Sequence, residues 1–282
     1  MPINIITALL NIKKHRDNDL GKIVSIVNSE QPKVNKEGSP FDGYIKDAFC
    51  NSFSIKNPNE KMKAYLNNFS YLGSQNNPPD IIVRGGDAIE VKKVKSITGS
   101  TIALNSSFPK QKLRADDDMI TTECKNCEIW KEKDLVYCVG HVTDGKVNVI
   151  VFVYGDCYTA NSEVYKKVRL PIIEGLKNLE IPMSKTKELA RLNKVDPLRI
   201  TDLRVRGMWQ IKTPLKFFSE ILKLDEERQL SVFAIMRKEK FDSLEKADKE
   251  EAKKNFSVAS VKIKNPDIPQ KLIDAVLLSF AV

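Results

Sequence analysis

The run KVNVIVFVYGD at 146 to 156 constrains the fold of this chain most. It is apolar at nearly every position and rich in β-branched residues, which suits a strand covered on both faces and therefore central in its sheet. DLVYCVGHV at 134 to 142 reads as another strand, and only Thr143-Asp144-Gly145 separates the two, so an antiparallel pair is expected. A second hairpin is expected in DIIVRGGDAIEVKKVKS at 80 to 96, where two β-type runs flank Arg84-Gly85-Gly86-Asp87.

Helical patterns surround these strands. Residues 3 to 13 and 20 to 28 read as amphipathic helical pieces, and SEQPKVNKEGSP at 29 to 40 as a loop. The next segment has Ser39 at a cap position, Pro40 at the first helical position, and Phe41, Ile45 and Phe49 on one stripe. Further helices are expected at 59 to 72, 161 to 179, 184 to 193 and 214 to 223, with 196 to 214 irregular or extended. VFAIM at 232 to 236 is strand-like, and the charged run 238 to 254 reads as a solvated helix face. No internal repeat or long linker divides the 282 residues, so one elaborated domain is expected.

Composition narrows the setting. No apolar run approaches the roughly 18 to 20 residues that cross a bilayer, and the first charges follow the initial apolar stretch instead of preceding it, so a cytoplasmic location is expected. Five irregularly spaced cysteines (Cys50, Cys124, Cys127, Cys138, Cys157) argue for reduced thiols. Lys and Arg number 46 against 37 Asp and Glu, a net charge of +9 that favours a polyanionic partner without identifying one.

The chemistry is concentrated in the hairpin. Glu90 and Lys92 lie two apart on a strand and project from one face, while Val91 points to the other and can pack in the core. Folding the hairpin back brings Asp80 towards the Glu90 and Lys92 face. Two carboxylates suit Mg²⁺, which takes hard oxygen ligands and keeps several waters. Lys92 can orient or deprotonate a water and hold a phosphate. A strand reading Glu-x-Lys, or a Pro-Asp before a strand, is common by chance; the two in order across a short hairpin are far more specific.

Pro79-Asp80 followed by Glu90-Val91-Lys92 resembles the PD-(D/E)XK nuclease signature. FDGYIKDAF, NNPPDIIVRGGDAIEVKK, LNSSFPKQKL and TECKNCEIWKEKDLVYCVGHV resemble, more closely, the NgoPII-type type II restriction endonucleases over residues 41 to 160. The resemblance implies an α/β (mixed α+β) fold: a PD-(D/E)XK restriction-endonuclease-like core, a central mixed sheet flanked by helices, ordered helix, three antiparallel strands, helix and further strand. With the catalytic core at 41–160, the chain is expected to divide into an N-terminal helical segment at 1–40, that core, and a C-terminal extension at 161–282, helical and irregular, that completes the same domain and serves DNA recognition or dimerisation. The resemblance also implies Mg²⁺-dependent, sequence-specific double-strand cleavage in a prokaryotic cytoplasm by a homodimer, at short GC-rich palindromes such as GGCC. Asp80 and Glu90 then act as metal ligands, Lys92 as the catalytic lysine, and the Val91 carbonyl as a further ligand. Many members add an acidic residue from the helix before the hairpin; Asp42 and Asp47 are the local candidates, and neither is the usual Glu.

In the nuclease reading, residues 103 to 118 offer DNA contacts through Asn105, Ser106, Ser107, Lys110, Lys112 and Arg114, against a plain polar loop. Arg199, Arg204, Arg206, Trp209 and Lys212 interleave basic and aromatic residues, against an exposed basic loop; Phe217 and Phe218 are read as core. Cys124, Cys127, Cys138 and His141 could be imagined around zinc, but Cys138 and His141 would point to opposite faces of a strand, so packed thiols are the default. The rival functions are a repair or recombination nuclease with the same triad and a non-catalytic DNA-binding protein. A pure binder has no reason to place Asp80 and Glu90 near phosphate, which they repel.

Overall fold

The computed structural model describes residues 3–20, 40–73, 78–97, 101–105, 107–186, 188–225 and 227–282. Residues 21–28 of the helical piece expected at 20–28, residues 29–39 of the loop expected at 29–40 with the Ser39 cap, and Ser106 lie outside the described residues. Helix α1 (Ile5–His15) is capped by Asn4, whose side chain accepts from the Ile6 and Thr7 amides, and its apolar stripe is buried. Helix α2 (Pro40–Cys50) buries Phe41, Tyr44, Ile45, Ala48 and Phe49, and α3 (Pro58–Asn68) begins behind an Asn57 cap.

The expected helix at 59–72 stops at Asn68, and Phe69–Leu72 forms strand β1. There the burial period changes to two, with Phe69 and Tyr71 inward, and β1 pairs antiparallel with β2 (Ile81–Val83), which helical residues could not do. A hairpin through 84 to 87 joins β2 to β3 (Ala88–Val94), with Gly85 at φ +68°. Strands β4 (Thr101–Asn105) and β5 (Lys112–Arg114) and the short helix α4 (Thr122–Lys125) follow, before β6 (Glu132–Thr143) and β7 (Lys146–Tyr154). Asp144 (φ +51°) and Gly145 (φ +77°) make the tight turn between β6 and β7, where Gly matches the left-handed backbone.

The principal sheet runs β1-β2-β3-β6-β7-β11-β13-β12, with β5 added to β6. Its last three members are β11 (Ser231–Arg237), β12 (Ser257–Lys264) and β13 (Leu272–Ala281). It is mixed: β3 runs parallel to β6 and β7 parallel to β11, and the other pairs along that path are antiparallel. β7 is central, between β6 and β11, and six of its nine residues in an unbroken run, 149 to 154, are buried. The crossover from β3 to β6 carries β4, β5 and the short helix α4, which stands where the family order has its second helix.

Phe41 from α2 lies over Gly140 so closely that a Cβ there would come within 2.2 Å of its ring. Phe49 meets Phe152 edge-on at 6.4 Å. These two contacts seat α2 on the sheet face that carries Cys138, Gly140 and Phe152. Helix α5 (Gly155–Tyr158) packs near β6, β7 and β11, and α6 (Ser162–Lys177) follows with none of its residues fully buried.

The helix expected at 184–193 is instead irregular and ends in strand β8 (Ala190–Leu192), because β9 (Leu203–Val205) supplies its hydrogen bonds while Ala190 and Leu192 alternate inward. β10 (Met208–Lys212) pairs with β4. Of 214–223 only α7 (Pro214–Phe217) is helical. Phe218 is core as expected, but Phe217 is 43% exposed and rests on Tyr158 and Phe218.

The charged run from 238 forms α8 (Lys238–Ser243) and α9 (Lys246–Asn255). It is not wholly solvated: Lys240 bridges Asp87 at 2.8 Å and Asp134 at 2.6 Å, and Asp248 is buried against Asn4. Among the described residues no helix is long and apolar enough to cross a membrane.

Candidate active site

The hairpin brings Asp80, Glu90 and Lys92 together. Asp80 stands just before β2, where its amide donates to the Ile89 carbonyl at 3.0 Å and its Oδ2 accepts from the Val91 amide at 2.6 Å. Its carbonyl accepts from the Gly73 amide at 2.7 Å, and a Cβ on Gly73 would lie 2.2 Å from the Pro79 oxygen, so only glycine permits that approach. The peptide bond between Pro78 and Pro79 is cis. Strand β3 then places Glu90 opposite Tyr137 and Lys92 opposite Val139 on the parallel neighbour, with Val91 between them, buried beside Cys138.

Glu90 is buried, and its Oε1 meets Lys92 Nζ at 2.6 Å. Its Oε2 is buried without a hydrogen-bond partner among the described residues. Burial first, and then the Glu90 charge, push the Asp80 carboxyl up to about 8, against the opposing pull of Lys92 and the Val91 amide. Burial works to lower Lys92, yet the fields of Glu90 and Asp80 outweigh it and hold the ammonium above its ordinary value. Asp42, in the first turn of α2 and bridged to Lys46 at 2.6 Å, is near enough to raise both Asp80 and Lys92.

This cluster is short of positive charge: two carboxylates share one ammonium, one carboxyl retains its proton to an unusual pH, and one buried oxygen is left bare. A hard divalent cation would supply what is missing, and the oxygen donors of Asp80 and Glu90 fit Mg²⁺, which needs only one or two protein carboxylates. Three or more His, Cys, Asp or Glu side chains placed to enclose a metal do not occur among the described residues. A metal held here would therefore lean on main-chain and solvent oxygens as well. Among Cys124, Cys127, Cys138 and His141 the thiols are unbridged, and Cys124 and Cys138 are packed in the core.

Asp47 belongs to another network. It is buried and takes Lys61 Nζ at 2.6 Å, Ser52 Oγ at 2.6 Å and Tyr65 OH at 2.7 Å, tying α2 to α3. The expected DNA-contacting residues also divide. Ser107 is buried, and Lys110 is buried, paired to Asp117 at 2.6 Å and seated 4.1 Å from the Phe108 ring centroid. Its amide and carbonyl both engage the Tyr137 hydroxyl, which anchors this loop over β6. Lys112 and Arg114 are exposed on β5, bonded to Glu132 and Asp116. Asn105 ends β4, paired with Met208. Arg204 and Arg206 are exposed and both reach Glu188. Neither Gly73 nor Glu188 drew attention in the sequence, since each matters through a partner distant along the chain.

No solved structure matches the chain. The type II restriction enzyme NgoPII of Neisseria gonorrhoeae is 40% identical over 285 residues, spanning 99% of each chain. The model of the NgoPII restriction endonuclease family matches residues 3–269, and with the mixed sheet and its acidic hairpin in view the conclusion is plain: the chain belongs to the NgoPII restriction endonuclease family.

Proposed function

We propose that this restriction endonuclease is a PD-(D/E)XK enzyme that cuts both strands of DNA at a short GC-rich palindrome such as GGCC, with Mg²⁺ held by Asp80, Glu90 and the Val91 carbonyl. The observation that carries the reading is the charge-deficient cluster itself, in which the Lys92 ammonium lies 2.6 Å from Glu90 and Glu90 Oε2 is buried and bare. Bound there, the dication supplies charge neutralisation at the phosphoryl oxygens and lowers the pKa of a coordinated water.

The chain's own groups do the rest. Lys92, kept protonated by Glu90 and Asp80, orients the attacking water and holds the scissile phosphate. The Val91 amide fixes the rotamer of Asp80, so its free oxygen is aimed before substrate arrives. Asp42, whose charge is felt at both Asp80 and Lys92, is the further acidic residue supplied by the preceding helix, and Asp47 braces that helix. Lys112, Arg114, Arg204 and Arg206 are exposed cations suited to phosphate and guanine contact, while Ser107 and Lys110 support the loop from beneath. The 161–282 extension, which carries Arg204 and Arg206, serves recognition and dimerisation, the homodimer matching a two-fold target. Restriction of DNA places the work in a prokaryotic cytoplasm.

The test is digestion of a long DNA of known sequence with Mg²⁺, beside Asp80→Ala and Lys92→Ala. Discrete fragments from the wild type alone are expected, with each variant slower by about a hundredfold or more. Random smearing would point to a repair nuclease, and cutting by Asp80→Ala would remove the site.

A further inference from the structure

The segment between α6 and β10 contains a carboxylate with an unusual set of partners. Glu188 Oε2 accepts from Arg204 Nε at 3.0 Å, and its Oε1 accepts from an Arg204 terminal nitrogen at 2.7 Å and lies 2.6 Å from Arg206 Nε. The Glu188 side chain is only 11% exposed, whereas those of Arg204 and Arg206 are 55% and 60% exposed. Its main chain is fixed as well: the carbonyl accepts from Arg169 on α6 at 3.2 Å and the amide donates to Thr186 Oγ1 at 3.1 Å. The arginines thus cover the carboxylate and stand between it and solvent, not the reverse.

We infer that Glu188 is a positioning residue for DNA recognition, which presents the guanidinium groups of Arg204 and Arg206 to the duplex. This rests on the nuclease reading above. Arg206 meets the carboxylate through Nε, on the stem side of its guanidinium, and among the described residues no hydrogen bond from its two terminal nitrogens is found, which leaves them placed as a fork. Two arginines on one carboxylate keep a net positive charge, unlike a simple surface pair. An Arg fork held in this way matches the paired O6 and N7 acceptors of guanine, or two phosphate oxygens, at a reduced entropy cost.

The surroundings favour DNA as the occupant. Arg204 and Arg206 lie on and just beyond β9, which forms a two-stranded ribbon with β8. In the loop joining the two strands, Leu198 and Ile200 are each 79% exposed beside the exposed Arg199. Cations along a ribbon with aliphatic side chains at its tip suit a nucleic-acid groove; the same positive ribbon on a second copy of the chain would repel it. The ribbon is also coupled to the catalytic strand, since β10 follows β9 and pairs along its length with β4, the first strand after β3.

The experiment measures binding to short duplexes with and without the sequence that the wild type cuts, in chelator so that no strand is broken, across a range of KCl. Glu188→Gln keeps the size and removes the charge; Glu188→Ala removes both; Arg204→Ala/Arg206→Ala gives the reference. We expect Glu188→Gln to weaken cognate binding about tenfold while non-cognate affinity changes less than about threefold, because phosphate attraction survives and base discrimination does not. The Glu188→Gln effect should disappear in the Arg204→Ala/Arg206→Ala background, a coupling that a merely structural role would not produce. Tighter binding to every duplex by both Glu188 variants would show instead that the carboxylate competes with DNA, and would overturn the inference. So would an Arg204→Ala/Arg206→Ala protein with wild-type affinity, whether or not its oligomeric state shifts. Failure of the wild type to yield discrete fragments would defeat the nuclease reading separately, before any variant is made.

Discussion

Replacing Asp47 by Ala should unfold the link between α2 and α3 without touching the chemistry, and the size of the effect follows from the contacts. The carboxylate is 1% exposed and its partner Lys61 7%, with Lys61 Nζ at 2.6 Å. Removing one member of such a buried pair costs about 3–5 kcal/mol, because the remaining charge is left unpaired in a poorly solvated place. Ser52, itself fully buried, and Tyr65 lose their charged acceptor too, so the upper end of that range, about 5 kcal/mol in all, is expected. Against a typical total of about 5–15 kcal/mol, that lowers the melting temperature by on the order of 10 °C. The assay is urea denaturation followed by circular dichroism, beside Asp47→Ala/Lys61→Met, which removes both charges and should recover at least about half the loss. Asp42→Asn is the contrast: its bridge to Lys46 is an i,i+4 pair that contributes about 1 kcal/mol or less, so stability should hold while cleavage falls. An Asp47→Ala protein with wild-type stability and no cleavage would refute the division of labour drawn between these two aspartates.

Two other outcomes follow from the hairpin. The Asp80 carboxyl is raised from 3.8 to about 8 by burial and by Glu90, so between those values the folded state holds a proton that the unfolded state has released. Metal-free protein should therefore lose stability as pH rises from about 4 to about 8, and Asp80→Asn should flatten that slope in thermal melts even as it abolishes cutting; an unchanged slope would mean that Asp80 ionises freely in the fold. Gly73→Ala forces a methyl to within 2.2 Å of the Pro79 oxygen. It should displace Asp80 and slow cleavage about tenfold or more while leaving far-ultraviolet circular dichroism intact, and wild-type turnover would show that the approach is relaxed at little cost.

Much of the site could be read locally because strand geometry is local. A period of two puts Glu90 and Lys92 on one face whatever surrounds them, and a short turn with Gly at positive φ must fold β2 back on β3. The 184–193 segment misled for the complementary reason. Its pattern suits a helix, but β9, more than ten residues on, captures Ala190–Leu192 into a ladder, and pairing outweighs a weak propensity. Lys110 looked like a surface cation by type, and Asp117 with the Phe108 ring draws it inside.

Sequence alone therefore determined the central strand and the acidic hairpin, since each is written within a dozen or so neighbouring residues. Only the tertiary structure decided which aspartate of α2 sits by the hairpin and which braces the fold. It alone brought Gly73 against the Pro79–Asp80 main chain, and Glu188 beneath two arginines sixteen or more positions away. The physical reason is distance along the chain: charge pairing and close packing act over a few ångströms of space, and a sequence does not state which remote residues come within that range.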